Sequence, residues 1–198
     1  MKYRMKPYFF LLTCIFILTA CQEQNKNPEQ DNIKAEEETI VFFPVGDFLK
    51  GQLVEIRERG IAPIQYQTEN EHTDSVWIKM DSLEPVLSDF LSPLIDSVSM
   101  AKYYTVKKFF DQTLGSVTLT YEANADLPKD NPWLSWNIYI DPENGKVQKI
   151  YLVKRINENK KLQLSWNCKS HCSITGIEEG EKPGQSKIYR RASIKWNY

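Results

Sequence analysis

The sequence predicts an α+β fold, in which two N-terminal helices and a short hairpin pack on a curved antiparallel sheet of about six to seven strands. Two observations predict it. Before residue 100 apolar side chains recur at helical spacing, and after residue 100 they alternate with polar ones, as in half-buried strands. The later strands are joined by short turns with no crossover helix between them. They are therefore expected to form an antiparallel meander.

Two segments show the spacing of amphipathic helices. In residues 46–60, Asp47 can cap the N-terminus and Gly60 can close the C-terminus. In the second segment every position on one helical face is apolar. These positions are Leu83, Val86, Leu87, Phe90, Leu91, Leu94 and Ile95. Pro93 is expected to bend or end this helix. The stripe is expected to cover the sheet, and binding to a partner or a membrane is the alternative.

Short strands account for most of the remaining chain. Residues 61–67 and 75–79 are predicted to form the short hairpin, around a polar loop. Alternation marks the later strands, as in residues 116–121, 136–140, 162–166 and 188–196. Residues 141–145, Asp-Pro-Glu-Asn-Gly, are typical of a hairpin turn because Asn-Gly readily adopts positive φ.

The N-terminus has the features of a bacterial export signal. Lys2, Arg4 and Lys6 precede the apolar stretch Tyr8–Ala20, which as a helix would span roughly 20 Å, short of a ~30 Å bilayer core. This length predicts a signal peptide over residues 1–20. A short N-terminal anchor helix is the alternative.

The stretch ends Leu18-Thr19-Ala20-Cys21, which resembles the lipobox of bacterial lipoproteins. In that family the cysteine sulfur receives a lipid with two acyl chains through a thioether, the signal is removed, and the new amine is acylated with a fatty acid such as palmitate. The resemblance implies that Cys21 is the lipid-bearing first residue, since several acyl chains give a stable anchor. Gln22 stands where Asp retains well-studied lipoproteins at the inner membrane, which implies a periplasmic domain at the outer membrane.

The segment after the lipobox is predicted to be a tether. Residues 21–39 contain six acids, two lysines and one large aliphatic residue, Ile33, too little apolar surface to offset the entropy of ordering. A chain of this length would hold the domain roughly 25 Å from the lipid. Residues 40–198 are long enough to form a single globular domain.

Charge is divided unevenly within that domain. Residues 40–96 carry ten acids and four bases, whereas residues 97–198 carry ten acids and sixteen bases. The simplest interpretation is that the two parts pack together as one neutral domain. A basic surface for anionic lipid or polysaccharide is the alternative. An exported, nearly neutral domain is not expected to bind nucleic acid.

Two weaker resemblances concern the folded part. Residues 136–153, WNIYIDPENGKVQKIYLV, resemble the hairpin of PepSY-like envelope domains, where a strand, a turn containing Asp and Gly and a second strand recur. The chain as a whole resembles uncharacterised lipoproteins of Gram-negative envelopes. Neither resemblance supplies catalytic residues.

The sequence contains no G-x-S-x-G, H-E-x-x-H, P-loop or dinucleotide-binding motif. His72 is expected to be solvated, Glu178 and Glu179 to lie in a solvated turn, and Asp141 and Glu143 lack the spacing of a calcium loop. We therefore expect no catalytic residue, metal or cofactor, and a non-catalytic binding or structural role. The alternative is an envelope hydrolase acting on polysaccharide or another polymer, with carboxylates assembled from distant positions.

An aromatic pair is the candidate ligand surface. By alternation Trp136 shares a face with Ile138 and Ile140, whereas Trp133 and Tyr139 fall on the opposite face. An exposed aromatic pair among hydrogen-bonding side chains can stack on a glycan or contact an envelope protein. Ordinary cross-strand pairing explains the same pattern.

Cys168 and Cys172 flank His171 in the stretch NCKSHC. Thiols this close tend to pair in an oxidising envelope, and predicted strands over 161–167 and 173–178 would place them at a hairpin end. We therefore predict a disulfide. Unpaired thiols are one alternative, and a metal site is another, although it has no evident fourth ligand.

Overall fold

The computed structural model describes residues 42–69, 72–182 and 184–196. The predicted signal peptide, the predicted lipidation site Cys21 and the predicted tether lie outside the described residues. Backbone contacts group Ile40–Tyr198 as one compact unit. Because the buried core of the described part lies between Val45 and Trp196, residues 40–198 contain a complete core of their own and are suited to study in isolation.

The described residues form an α+β fold built on a nine-stranded antiparallel sheet. Its strands are β1 (Ile64–Glu69), β2 (His72–Trp77), β3 (Tyr104–Asp111), β4 (Ser116–Ala123), β5 (Trp133–Ile140), β6 (Val147–Arg155), β7 (Lys160–Asn167), β8 (His171–Glu179) and β9 (Ser186–Lys195). Their order across the sheet is β2-β1-β9-β8-β7-β6-β5-β4-β3, which leaves β2 and β3 at the edges. The predicted fold class is confirmed, but the strand count is higher than predicted.

Two features explain the larger strand count. β1 pairs along β9, so the N-terminal hairpin extends the main sheet instead of packing on it as a separate element. β3 is an edge strand on which most side chains are exposed. Its sequence therefore does not alternate between apolar and polar residues, and alternation is the signal by which the other late strands are recognised.

The first predicted helix is present as α1, Val45–Glu58. Its N-cap is Pro44, and Asp47 lies in the first turn instead of capping it, where a carboxylate still complements the helix dipole. α1 buries one apolar stripe in the same core as the sheet, through Val45, Leu49, Leu53 and Ile56.

The second predicted helix is not continuous, and the prediction of one helix from Leu83 to Ile95 is wrong. The segment from 80 to 103, called the cover segment below, contains only helices of about one turn, joined by short loops. These helices are Met80–Ser82 (3-10), α2 (Leu83–Val86), α3 (Ser88–Leu91), α4 (Ser97–Met100) and Ala101–Tyr103 (3-10). Pro93 explains the break after Leu91, because a residue before proline avoids helical backbone, and Ser92 is extended, with φ −129° and ψ 132°.

The apolar stripe of the cover segment nevertheless packs on the sheet, as predicted. Leu83, Leu87, Phe90 and Ile95 are buried, and the Phe90 ring meets the Trp166 ring edge-on with centroids 5.4 Å apart. None of the helices in the described part of the chain is long and apolar enough to cross a membrane.

Two cations of the sheet hold the cover segment in place. Lys154 on β6 is 9% exposed, and its Nζ donates to the backbone carbonyls of Asp89 and Ser92. Arg190 on β9 pairs with the Asp89 carboxylate at 2.8 Å. The cover segment is therefore fixed by polar contacts as well as by its apolar stripe.

Candidate functional site on the outer face of the sheet

The cross-strand register divides the sheet into two faces. The inner face belongs to the core that α1 and the cover segment complete, and its buried side chains include Tyr121, Trp136, Ile138, Ile150, Leu152, Leu162, Leu164, Trp166, Cys172, Ile174, Ala192 and Ile194. Since apolar side chains fill this face, a surface for binding is expected on the opposite, outer face.

A row of uncharged hydrogen-bonding side chains crosses the outer face. The residues of this neutral row are directly opposed from strand to strand, in the order Thr120, Asn137, Tyr151, Ser165, Ser173, Ser193 and Tyr66. All seven are half-buried. The row thus presents hydroxyl and amide groups across seven neighbouring strands. The ring of Tyr151 lies near its middle, and the ring of Tyr66 lies at its end.

A second row, the basic row, runs beside it. Its members are Tyr139, Lys149, Asn167, His171 and Lys195. Lys149 Nζ lies 5.5 Å from the ring centroid of Tyr139, and Lys195 Nζ lies 5.0 Å from that of Tyr66. Such cation–ring contacts keep a lysine close to an aromatic face while its ammonium stays accessible to solvent.

The chemistry of the two rows is that of a binding surface. Neither row contains a carboxylate. Burial raises the pKa of Tyr151, with a smaller contribution from Tyr139, so its phenol is a neutral donor and acceptor at physiological pH. Tyrosine faces, hydroxyls, amides and lysines together can stack on and hydrogen-bond a polyhydroxylated or anionic ligand.

The predicted surface residue Trp133 is in the core, so its assignment to an exposed aromatic pair is wrong. The β5–β6 register shifts between Trp133 and Ser135, where the pairing passes from Lys154 to Val153. This bulge breaks the alternation that a regular strand would follow and returns Trp133 to the inner face. The side chain is 0% exposed, and its Nε1 donates to the carbonyl of Pro93 at 3.0 Å.

Tyr139 lies on the outer face, as predicted, and is half-buried. The sequence reasoning missed its neighbour Lys149. Alternation along β6 places Lys149 on the face opposite Ile150, but its pairing with Tyr139 depends on a second register shift, between Tyr139 and Ile140. Tyr66 and Lys195 were also missed. No local signal could bring those two together, because their contact depends on the pairing of β1 with β9.

The predicted disulfide is not present: Cys168 and Cys172 are free thiols in the structure. Cys168 lies in the turn after β7, and the residue opposite Cys172 is Trp166. The cross-strand pairing on which the prediction relied is therefore absent. Burial, with a contribution from Glu55, raises the pKa of Cys168 to about 11, and burial raises that of Cys172 further. Both thiols are consequently poor nucleophiles at neutral pH.

Carboxylates do converge in one cleft, at the turn between β8 and β9, and two of them are engaged in ion pairs. This cleft of about 990 Å³ is lined by Glu178, Glu179 and Glu181. Glu178 lies 3.0 Å from Lys187 Nζ, and Glu179 lies 2.6 Å from Lys161 Nζ. The hydrogen bond from Lys187 lowers the pKa of Glu178, whereas a glycosidase acid needs a raised pKa. This geometry does not favour the hydrolase alternative.

A second cleft, of about 850 Å³, lies between α1 and the turns after β5 and β7. Its acids are also engaged locally. Glu55 pairs with Arg59, and Asp141 accepts hydrogen bonds from the Glu143 backbone and from Asn144. The backbone bond from Glu143 contributes most to lowering the pKa of Asp141. Within the described ranges no group of three His, Cys, Asp or Glu residues could hold a metal ion.

Comparisons with known proteins give no relative: no protein family, no curated protein and no solved structure matched the chain.

Proposed function

We propose that the chain is a lipid-anchored protein of the bacterial cell envelope, held at the outer membrane through Cys21, and that it binds an envelope glycan non-catalytically through the neutral and basic rows of its sheet. The observation that carries the binding role is the row of seven uncharged hydrogen-bonding residues beside Tyr139 and Lys149. The lipobox resemblance at the N-terminus supports the location.

The composition of the outer face favours a glycan over a protein partner. A typical protein interface has an apolar, aromatic centre, whereas the neutral row consists mainly of short hydroxyl and amide side chains. The rings of Tyr66 and Tyr151 are separated by these groups, and Tyr139 lies diagonally across from Tyr151 on the neighbouring strand. That spacing suits sugar rings with hydroxyls along their edges, which need both stacking and hydrogen bonds.

The proposed lipid anchor is tested by measuring whether the chain is acylated in a Gram-negative host. The full chain is expected to incorporate labelled palmitate and to sediment with membranes. The Cys21→Ser variant should lose both properties, because it lacks the thiol that forms the thioether. The Cys14→Ser variant is the matched control and should retain the label. Equal labelling of the wild type and Cys21→Ser would contradict the proposed anchor.

The binding role is tested with residues 40–198 and two envelope glycans, peptidoglycan sacculi and lipopolysaccharide. The double variant Tyr139→Ala with Tyr151→Ala should bind at least about tenfold more weakly to the preferred glycan, since each ring contributes roughly 1 kcal/mol of stacking. Co-sedimentation for sacculi and titration calorimetry for lipopolysaccharide measure the change.

The matched control for the glycan experiment is Tyr103→Ala. Tyr103 also lies beneath a lysine, with Lys102 Nζ 4.7 Å from its ring centroid, but it belongs to the cover segment. Its replacement should leave the affinity unchanged. Failure of the wild type to bind either glycan would count against the proposed role, as would equal losses in the double variant and the control.

A further inference from the structure

An exposed tryptophan extends the basic row to the edge of the sheet. Trp77 on β2 stands directly opposite Ile64 on β1, and Ile64 stands opposite Lys195 on β9. The next residue, Ile78, is buried in the core, so alternation places Trp77 on the outer face. Trp77 is 62% exposed, and a large part of its surface is therefore accessible to a ligand.

Trp77, Tyr66 and Lys195 form a group that we call the edge subsite. Tyr66 is directly opposite Ser75, so Trp77 lies diagonally across from Tyr66, within the reach of aromatic side chains. Lys195 Nζ lies 5.0 Å from the ring centroid of Tyr66. The edge subsite thus combines two aromatic rings and one ammonium group on the same face.

The same combination occurs farther along the basic row, in a group that we call the central subsite. Tyr139 on β5 and Tyr151 on β6 are diagonal neighbours. Lys149 Nζ lies 5.5 Å from the ring centroid of Tyr139. The two subsites therefore repeat one arrangement, in which a lysine lies against one of two diagonally placed rings.

The space between the subsites is polar and carries no negative charge. Lys149 on β6 and Lys195 on β9 belong to the same row and are three strand spacings apart, or about 14 Å. The positions between them are Asn167 and His171. No ion pair in the described ranges includes either lysine. Both ammonium groups are therefore available to an anionic ligand.

We propose that the edge and central subsites bind two acidic units of the same glycan strand, and that this ligand is a peptidoglycan strand lying across the strands of the sheet. Two similar subsites on one face are matched by a ligand with a repeating unit. The rings provide stacking surfaces for sugars, and the lysines provide charge for their acidic substituents. The inference rests on the proposed glycan-binding role and specifies its ligand.

The separation of the two subsites favours peptidoglycan over lipopolysaccharide. A peptidoglycan strand carries carboxylates at intervals along its whole length, whereas the phosphates of lipopolysaccharide are clustered at its lipid end. A strand held at one subsite presents its next units to the other at a high effective concentration. Affinity is therefore expected to rise once a strand is long enough to reach both subsites.

The inference is tested with residues 40–198 and glycan strands that an amidase releases from sacculi, on which the lactyl carboxylates are free. Titration calorimetry compares long strands with the disaccharide that a muramidase produces from them. Per disaccharide unit, the long strands should bind at least about tenfold more tightly. Long strands whose carboxylates have been converted to amides should bind at least about tenfold more weakly than the untreated strands, because the lysines lose their ionic partners.

A double variant removes the edge subsite. In Trp77→Ala with Lys195→Met, the affinity for long strands should fall at least about tenfold, toward that for the disaccharide. The affinity for the disaccharide itself should change by less than about threefold, because the central subsite remains. A general loss of structure would instead weaken both ligands equally.

The matched control is Val76→Ala with Lys50→Met, which also removes one exposed apolar side chain and one positive charge. Val76 is 59% exposed and adjoins Trp77, but alternation places it on the opposite side of β2. Lys50 is exposed on α1, which covers the inner face. This variant should bind both ligands like the parent.

Three results would overturn the inference: equal affinities for long strands and disaccharide, equal affinities for untreated and amidated strands, or an unchanged affinity for long strands in the edge-subsite variant. Binding to lipopolysaccharide without binding to the strands would also overturn it, yet would leave the proposed glycan-binding role standing. If neither glycan bound, the proposed function itself would fail.

Discussion

Replacing Trp133 with alanine is expected to lower the free energy of unfolding by about 3–5 kcal/mol. The side chain is fully buried, and its ring lies 5.2 Å from Lys154 Nζ. Its Nε1 also donates a hydrogen bond to the Pro93 carbonyl of the cover segment. Alanine would leave a cavity and an unpaired carbonyl at the same place. Urea unfolding of residues 40–198, followed by far-UV circular dichroism, measures the loss.

The control for Trp133 is Trp77→Ala on the edge strand β2. Trp77 is 62% exposed, and truncation of an exposed side chain usually changes stability by less than about 1 kcal/mol. The comparison also separates the two positions considered for Trp133. A small loss of stability in both variants would contradict the burial of Trp133 and would indicate that its side chain lies on the surface.

Replacing Lys154 with methionine is expected to lower the free energy of unfolding by about 3 kcal/mol. Methionine approximates the length of the lysine stem but has no donor, so the carbonyls of Asp89 and Ser92 would lose their partner. Burial lowers the pKa of Lys154, and the charge of Asp89 partly opposes that shift. Hydrogen exchange over residues 88–92 should quicken together with the fall in stability, because this is the segment that the amine holds.

Lys149→Met is the matched control, since Lys149 lies on the same strand with its side chain on the outer face. This replacement should lower the free energy of unfolding by less than about 1 kcal/mol, as expected for a partly solvated side chain. Trp133 and Lys154 hold the cover segment together, so their replacements should be non-additive in a double-mutant cycle. Equal losses at positions 149 and 154 would show that the buried hydrogen bonds do not hold the segment.

The parts of the fold that follow from local pattern are predictable. Alternation identifies the strands around Tyr121, Trp136 and Leu164 because apolar residues of the inner face alternate there with polar residues of the outer face. The pairing of β1 with β9 has no such signal, since it joins residues more than a hundred positions apart. The break in the helix at Ser92 and Pro93 was expected in kind, but the further break at Leu87, between α2 and α3, was not predicted.

Prediction of the candidate site was limited in the same way, because single residues could be placed only where the strand follows a local pattern. Tyr139 was placed correctly on the outer face because β5 alternates regularly from Ser135 to Tyr139, and the next register shift lies just beyond it, between Tyr139 and Ile140. The bulge next to Trp133 inserts one residue, Leu134, and reverses every inference drawn from alternation before that point. Sequence alone did not indicate the bulge, so the surface assigned to Trp133 belongs instead to Lys149, Tyr151 and their neighbours.

The position of β1 beside β9 also concerns the order in which the domain can assemble. The first hairpin is made early, yet β9, the strand that it joins, is the last of the strands in the described part of the chain. The nine-stranded sheet therefore cannot be completed until β9 has been synthesised. Contacts between residues so far apart in sequence are associated with slow folding. The pairing of β1 with β9 is therefore expected to be a late, slow step in the assembly of the sheet.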